Sequence, residues 1–405
     1  MAHPVARFLA PLLVAMGVVA CGGSGSGDAP VVGNSPPQQA PPQQAPSQDS
    51  STTPEPGPAT AAPVAVTVEE VTRQLTSPWS LAFLPDGSML VTEKPGRLRR
   101  IDAAGTVSPP LAGVPAVHAV GQGGLLDVVL SPGFAVDRTI FFTFSEPDAG
   151  GNSRAAVARA VLGDTAISQV AVIYRQTPSL PTTMHYGSRL VFDREGFLYV
   201  TFGERGLADG AQDLTTTQGK VVRIRADGSI PPDNPVFPHP RAVVGIWSYG
   251  HRNPQGAALN PVSGEVWLSE HGPRGGDEIN RVLPGRNYGW PRITYGRDYV
   301  TGEPLGPNTA PDVEPPLHYW VPVSIAPAGI AFYTGDKLPG WKGSLLVGAL
   351  AGQMLVQLSL QGDSVAGETR HLQALGERIR DVRQGPDGYP YLLTDSGRLL
   401  RVVPR

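Results

Sequence analysis

The chain has a single cysteine, Cys21, among 405 residues. A disulfide within the chain is therefore impossible, and neither a cysteine-based metal site nor a catalytic thiol is expected. Charged residues are scarce at 17%, and the formal net charge is −3. Because proteins that bind nucleic acid usually carry clusters of lysine and arginine, this balance argues against a nucleic-acid partner.

Long apolar segments are also missing. The N-terminal run at 8–19 is shorter than the roughly 20 residues that a membrane-spanning helix needs. Arg7 precedes this run, and small residues lead to Cys21, an arrangement that resembles a bacterial lipobox. We expect residues 1–21 to be a lipoprotein signal peptide, with an ordinary secretory signal as the alternative. The prediction is a periplasmic protein that meets a membrane only through a lipid on Cys21.

Residues 22–64 consist mostly of Gly, Ser, Pro, Gln and Ala, which predicts a disordered tether. The folded domain is expected at 65–405. It lacks long helical periodicity, and short apolar runs alternate with turns instead, as at 81–83 and 89–92 around Pro85-Asp86-Gly87. Related strand, turn and strand units recur at 128–142, 190–200, 257–268, 330–347 and 382–393. This repeat predicts an all-β fold, a six-bladed β-propeller of four-stranded antiparallel blades, with a β-sandwich as the alternative.

Polar residues cluster in the loops between these repeats, where a propeller places its ligand site. His185 comes just before one predicted strand and Glu204 just after its partner, an arrangement that suits a base oriented by a carboxylate. Arg252 and Asn253 offer several donors to an oxygen-rich ligand. A polar loop is also a common structural feature, so each of these signals is weak alone.

Two further loops complete the predicted site. The acidic and glycine-rich segment at 270–278 could supply oxygen ligands to a hard cation such as calcium. Arg378 and Arg380 are two residues apart in a predicted strand, so both guanidinium groups point the same way and favour carboxylate partners. Together the loops predict an acidic ligand that chelates a metal, and pyrroloquinoline quinone (PQQ) fits this description.

Several long motifs resemble the soluble PQQ-dependent glucose/sorbosone dehydrogenase family, and within it the periplasmic aldose sugar dehydrogenases. The resemblance covers nearly all of 65–405. The motifs that carry it, in chain order, are His185-Tyr186-Gly187-Ser188-Arg189-Leu190, Gly250-His251-Arg252-Asn253-Pro254-Gln255-Gly256, the segment from Glu270 to Asn280, Asn287-Tyr288-Gly289-Trp290-Pro291 and Arg378-Ile379-Arg380-Asp381-Val382.

The resemblance implies oxidation of an aldose at C1 to the lactone, with PQQ and Ca²⁺ as cofactors and an electron acceptor that the sequence does not identify. It implies that His185 is the catalytic base, that Glu204 supports it, and that Arg252 acts on the quinone. The implied cofactor-binding residues are Gln122, Arg252, Asn253, Tyr299, Ala349, Leu350, Ala351, Arg378 and Arg380. The implied calcium ligands are Glu278, the Tyr288 carbonyl and the carbonyls of Gly272 and Pro273.

One position departs from the family pattern. Ala351 stands where several members place a lysine on the cofactor, which predicts weaker binding of PQQ. Two other functions stay open: a calcium-dependent hydrolase of sugar lactones, and a non-enzymatic, lipid-tethered propeller that binds a partner protein. The first has no use for paired arginines at the axis, and the second would tolerate the loss of His185 and Arg252.

Overall fold

The computed structural model describes residues 64–405. The predicted signal peptide at 1–21 and the predicted tether at 22–64, apart from its last residue, lie outside the described residues. From 64 to 405, no helix has the length and apolar character needed to cross a membrane. The regular secondary structure of this part of the chain is almost entirely β-strand, with one short helix, α1 (Phe134–Asp137), and 3₁₀ turns at Ala208–Ala211 and Gln373–Leu375.

The strands form six antiparallel sheets that are the blades of a propeller, and this confirms the predicted fold. Blade 1 contains β2 (Pro78–Phe83), β3 (Met89–Glu93) and β4 (Arg97–Ile101). Blade 2 contains β5 (Leu125–Leu130), β6 (Thr139–Pro147), β7 (Ser153–Leu162) and β8 (Ile167–Arg175). Blade 3 contains β9 (Gly187–Phe192), β10 (Leu198–Phe202), β11 (Lys220–Ile224) and β12 (Ile246–Tyr249).

The remaining blades follow the same order along the chain. Blade 4 contains β13 (Pro254–Leu259), β14 (Val266–Glu270), β15 (Asp277–Arg281) and β16 (His318–Trp320). Blade 5 contains β17 (Pro327–Phe332), β18 (Leu345–Ala349), β19 (Met354–Gln361) and β20 (Ser364–His371). Blade 6 contains β21 (Ile379–Gln384), β22 (Pro390–Thr394), β23 (Leu399–Pro404) and, as its outer strand, β1 (Val66–Thr72).

Two blades depart from a simple repeat. Blade 6 joins both ends of the described chain, because β1 pairs antiparallel with β23, with Val66 opposite Pro404. Blade 1 has three regular strands rather than the predicted four. The segment after β4 covers its outer edge, since Ser108 and Leu111 donate their N–H groups to carbonyls of β4 at 2.8 Å. The edge of blade 1 is therefore not left open to another chain.

The apolar core lies between neighbouring blades, in six clusters with one at each junction. The second strands β3, β10, β14, β18 and β22 are buried along their whole length. Both faces of such a strand pack against another sheet, so its sequence reads as a mainly apolar run without alternation. This explains why the repeats appear in the amino-acid sequence as short apolar runs rather than as an alternation of apolar and polar residues.

The repeated unit seen in the sequence is the hairpin of first and second strands. Gly87, in the turn between β2 and β3, has φ 82, a value that suits glycine. The first strands surround the central channel. Because the second strand is antiparallel to the first, residues that precede a first strand and residues that follow a second strand meet at one end of the propeller, which we call the site end.

Candidate active site

His185 and Glu204 meet at the site end of blade 3. His185 precedes β9 and Glu204 follows β10, whose register pairs Gly187 with Phe202. The Nδ1 atom of His185 lies 2.7 and 2.9 Å from the two carboxylate oxygens of Glu204. A carboxylate only accepts hydrogen bonds, so Nδ1 carries the hydrogen in the neutral imidazole and the lone pair is on Nε2. The pair therefore has the geometry of an oriented base.

The loop of His185 is held from several sides. His185 has φ 52, and its N–H donates to the side-chain oxygen of Gln122 at 2.8 Å. Arg205 places its guanidinium 3.7 Å from the ring centre of Tyr186. A Cβ atom on Gly203 would lie 2.1 Å from the carbonyl oxygen of His185, so only glycine fits there. Neither Arg205 nor Gly203 was expected from the sequence to have a role, although both adjoin Glu204.

Arg252 and Asn253 immediately precede β13. Arg252 Nη1 donates to the carbonyl of Gly272 at 2.8 Å, and its Nη2 lies 3.5 Å from the Tyr299 hydroxyl. Asn253 Oδ1 accepts the N–H of Gly187 at 3.2 Å. Arg252 Nε and Asn253 Nδ2 are buried donors with no acceptor among the described residues. Buried donors normally have partners, so these two atoms are available to donate to a ligand or to water.

Arg378 and Arg380 converge on one carboxylate, that of Asp395. Their Nε atoms lie 2.8 and 3.0 Å from its two oxygens, and Arg380 Nη1 also donates to Gln255 Oε1 at 2.7 Å. Burial alone would raise the pKa of Asp395, but the charge and hydrogen bonds of the arginines outweigh it and hold that pKa low. Sequence reasoning missed Asp395, although it follows β22 much as Glu204 follows β10.

The remaining predicted cofactor positions carry no charge. Ala349 and Leu350 are buried, and Ala351 is exposed in the turn after β18. Their turn is fixed by backbone hydrogen bonds, including one of 3.0 Å from Ala351 N–H to the Ile325 carbonyl. Tyr299 is 62% exposed and approaches the site only through its hydroxyl near Arg252.

Of the adjacent acids Asp277 and Glu278, only Glu278 is open to a cation. Asp277 is buried and fixes loops, accepting for example from Ser324 Oγ at 2.6 Å and from three backbone N–H groups. Glu278 accepts from Asn280 Nδ2 at 3.0 Å. Burial and the negative charge of Glu270 raise the pKa of Glu278 to about 8. A bound cation would relieve this repulsion.

The surroundings of Glu278 supply oxygen atoms. Glu278 and Tyr288 line a cavity of about 20 Å³ together with Asn308 and Glu314, neither of which the sequence had suggested. This volume can hold one water-sized molecule or ion. From 64 to 405 no cluster of three or more His, Cys, Asp or Glu residues is placed to hold a metal. A cation here would therefore depend on carbonyl and amide oxygens as well as on carboxylates.

Of the predicted carbonyl ligands Gly272 and Pro273, Gly272 contacts Arg252. The Gly272 carbonyl accepts from Arg252 Nη1 at 2.8 Å, and Pro273 is buried. An ion at Gly272 would therefore share this carbonyl oxygen with the positively charged arginine or displace its contact.

Four charges that the sequence did not predict as a group link the first strands across the channel, three of them buried and Arg383 half-buried. Arg189 lies 3.2 Å from Asp127 and 3.0 Å from Asp381. Arg383 lies 3.2 Å from Asp127 and 3.0 Å from Asp381. Two cations and two anions thus balance in an interior where an unpaired charge would be strongly unfavourable. This axial network, Asp127, Arg189, Asp381 and Arg383, connects blades 2, 3 and 6.

A cavity of about 550 Å³ opens at the opposite end of the channel. It is lined mainly by apolar residues at the ends of the first strands, such as Phe83, Leu130 and Phe192. None of the predicted site residues lines it. The candidate site is therefore the site end, where His185, Glu204 and the cationic donors lie.

The fold and this site define an enzyme of the propeller class with a histidine–carboxylate pair at one end of its channel. The chain belongs to the glucose/sorbosone dehydrogenase family, whose model matches residues 75–401. It is 48% identical over 353 residues to "Aldose sugar dehydrogenase YliI" of Escherichia coli (strain K12), which covers 85% of this chain and 95% of that protein. It is accordingly an oxidoreductase that acts on sugars.

Solved structures of aldose sugar dehydrogenases are also similar to this chain. The apo form of the soluble aldose sugar dehydrogenase from Escherichia coli is 46% identical, with a TM-score of 0.81, over 84% of this chain and 100% of that chain. The PQQ-bound form of an aldose sugar dehydrogenase from Streptomyces coelicolor is 29% identical, with a TM-score of 0.70, over 85% of this chain and 100% of that chain.

Proposed function

We propose that this enzyme oxidises aldose sugars at C1 to the lactone, with PQQ and Ca²⁺ as cofactors. The observation that carries the proposal is the His185–Glu204 pair, a base with its lone pair on Nε2 and its other nitrogen held at 2.7 Å. The PQQ-bound form of the Streptomyces coelicolor relative supports the choice of cofactor.

His185 is the group that takes the proton in the proposed reaction. Its Nε2 receives the proton of the anomeric hydroxyl, and Glu204 stabilises the resulting imidazolium through Nδ1. PQQ, when bound, supplies the C5 carbonyl carbon that accepts the hydride from C1. Loss of one proton and one hydride converts the sugar hemiacetal to its lactone. Arg252 would stabilise negative charge on the quinone oxygen.

The donors at the site end fit a tricarboxylate with quinone oxygens. Arg378 is 46% exposed at its side chain and keeps donors beyond those that Asp395 uses. The buried donors Arg252 Nε and Asn253 Nδ2 would find acceptors in such a ligand. Gln122, already bonded to the His185 backbone, would link the cofactor to the base.

Calcium is proposed at Glu278 and the Tyr288 carbonyl. Ca²⁺ prefers several oxygen ligands, and the donors around Glu278 are of this kind. The raised pKa of Glu278 supports the proposal, since a carboxylate beside Glu270 is better tolerated with a cation next to it.

The setting proposed for the enzyme is the periplasm, with a lipid on Cys21 as anchor. This part of the proposal depends on the signal-like segment 1–21 and the low-complexity segment 22–64. A range of aldoses is proposed as substrate, and the electrons must pass to an acceptor outside this chain.

A dye-linked activity screen tests the proposal. The purified protein is loaded with PQQ and Ca²⁺ and assayed on a panel of aldoses and simple alcohols, with His185→Ala as the control. Oxidation of aldoses by the wild type and loss of turnover in the variant are expected, together with bleaching of the quinone absorption by sugar. An unchanged spectrum and no turnover on any aldose would contradict the proposal.

A further inference from the structure

Lys94 lies at the site end of blade 1 in a position that matches that of Asp395 in blade 6. The register pairs Pro78, the first residue of β2, with Glu93, and pairs Ile379, the first residue of β21, with Thr394. Lys94 and Asp395 are the next residues along their second strands. Blades 1 and 6 are neighbours in the ring, so both side chains belong to the same stretch of the channel mouth.

The backbone and side chain of Lys94 are fixed beside the proposed cofactor loop. Its N–H donates to the Ser77 carbonyl at 3.0 Å, and its carbonyl accepts from Leu125 N–H at 3.2 Å. Its Nζ donates to the Gly121 carbonyl at 2.8 Å. Gly121 precedes Gln122, which holds the backbone of the base. Lys94 is thus one residue removed from a proposed cofactor contact.

The charges around Lys94 leave an excess of cations. Burial and the guanidinium of Arg380 lower the pKa of the Lys94 ammonium, and the carboxylate of Asp395 opposes this shift. Asp395 is already shared by Arg378 and Arg380 at 2.8 and 3.0 Å. Lys94 instead donates to a neutral carbonyl. One carboxylate therefore faces three cations, and a ligand with carboxylate groups would complete the balance.

We propose that Lys94 is a cofactor-binding residue, which donates to a carboxylate of the bound cofactor alongside Arg378 and Arg380. The inference rests on the proposed function, since it names a contact for PQQ. It assigns to blade 1 the lysine contact that the uncharged turn at Ala351 in blade 5 does not provide.

The test is the dissociation constant of PQQ at saturating Ca²⁺, measured by calorimetry on the wild type, Lys94→Met and Lys94→Arg. Lys342→Met, an exposed lysine in the loop between β17 and β18, is the matched control. Loss of one charged hydrogen bond is expected to raise the dissociation constant about tenfold or more in Lys94→Met. Lys94→Arg and Lys342→Met are expected to stay within about threefold of the wild type.

Salt dependence separates a charge contact from a purely structural anchor of the Gly121 loop. Screening by NaCl should weaken PQQ binding more in the wild type than in Lys94→Met. The role of Lys94 would be overturned if the wild type and Lys94→Met bound PQQ with equal dissociation constants. It would also be overturned if Lys94→Arg and Lys94→Met weakened PQQ binding equally and both kept the salt dependence of the wild type. Absence of PQQ binding by the wild type would overturn the proposed function itself, so the two failures are distinct.

Discussion

Arg189 and Asp381 form an ion pair at 3.0 Å on the axis of the propeller, and each side chain is only 1% exposed. The same arginine donates to the carbonyl of Gln255 at 2.6 Å. It therefore connects β9, β13 and β21, the three first strands that begin next to the proposed base and the proposed cofactor arginines.

Replacement of Arg189 by methionine should destabilise the fold strongly. The change leaves Asp127 and Asp381 with one cation instead of two, and breaking a buried ion pair typically costs about 3–5 kcal/mol. Urea unfolding measures the free energy of unfolding. Arg292→Met, which removes an exposed pair with Asp312, is the control and should change it by less than about 1 kcal/mol. Similar values for both variants would show that the axial network is not a stabilising element.

Replacement of Glu204 by glutamine should impair catalysis more than cofactor binding. The amide can donate to Nδ1 of His185 and so favours the tautomer with the hydrogen on Nε2. In that tautomer Nε2 has no free lone pair and cannot act as a base. A loss of about 10²–10⁴-fold in kcat is expected, since this is the usual contribution of general base catalysis. Steady-state kinetics and PQQ titration measure both effects, with the exposed Glu303→Gln as the control. An unaltered kcat would exclude Glu204 from the role given to it.

Introduction of a lysine at Ala351 should tighten PQQ binding. This exposed turn now offers no charged donor to the cofactor. One added charged hydrogen bond predicts a dissociation constant lower by about tenfold. Calorimetry on Ala351→Lys and on Ala351→Met measures the change and separates the charge from the added volume. If both variants bind PQQ as the wild type does, the uncharged turn is not what limits affinity.

Removal of the charge on Glu278 should weaken calcium binding. Affinity for Ca²⁺ depends on the number of charged oxygen ligands, so Glu278→Gln is expected to raise the dissociation constant at least about tenfold. Calorimetric titration of metal-free protein measures it. Glu195→Gln, in the turn between β9 and β10 at the other end of the propeller, is the control. If the wild type, Glu278→Gln and Glu195→Gln bound Ca²⁺ with identical affinity, the calcium site would have to lie elsewhere.

Glu368 should make the stability depend on pH in the acid range. Its carboxylate lies 3.1 Å from His318 Nε2 and 2.9 Å from Trp320 Nε1, and so connects β20 of blade 5 to β16 of blade 4. The hydrogen bond from His318, together with those from Arg370 and Trp320, outweighs burial and lowers its pKa to about 2.

The sign follows from the two pKa values of Glu368. Between the ordinary value of 4.5 and about 2, the unfolded chain binds a proton that the folded protein does not. The contribution of Glu368 is thus complete above 4.5 and is lost as the pH falls towards 2. After allowance for solvent screening, the free energy of unfolding of Glu368→Gln should be lower than that of the wild type by about 1–2 kcal/mol at pH 7 and by less at pH 3. A deficit that does not shrink in acid would contradict this account.

The sequence predicted the fold because its signals are local. A turn such as Pro85-Asp86-Gly87 lies between the two apolar runs that it joins, so each hairpin could be recognised without knowledge of the rest of the chain. His185 and Glu204 could be paired for the same reason, since one hairpin carries both. The covering of the outer edge of blade 1 could not be predicted in this way, because the segment after β4 bonds to that edge without forming a regular strand.

The axial network could not be predicted, because its members come from different blades. Arg189 and Asp127 are 62 residues apart and come to 3.2 Å because blades 2 and 3 pack together, whereas Asp381 in blade 6 reaches Arg189 only when the ring closes. The sharing of Asp395 by two arginines has a related cause. The strand pattern places Arg378 and Arg380 on one side, but a single sequence does not reveal which acid completes them.

The pairing of β1 with β23 also determines when folding can be completed. Among the described strands β1 comes first in the chain and its partner comes last, so the ring closes only when the two ends of this part of the chain meet. A chain in which β23 is not yet in place has an open ring, with the edge of β22 free to pair with other chains. Closure of blade 6 by β1 and β23 covers this edge and so protects the folded enzyme against such pairing.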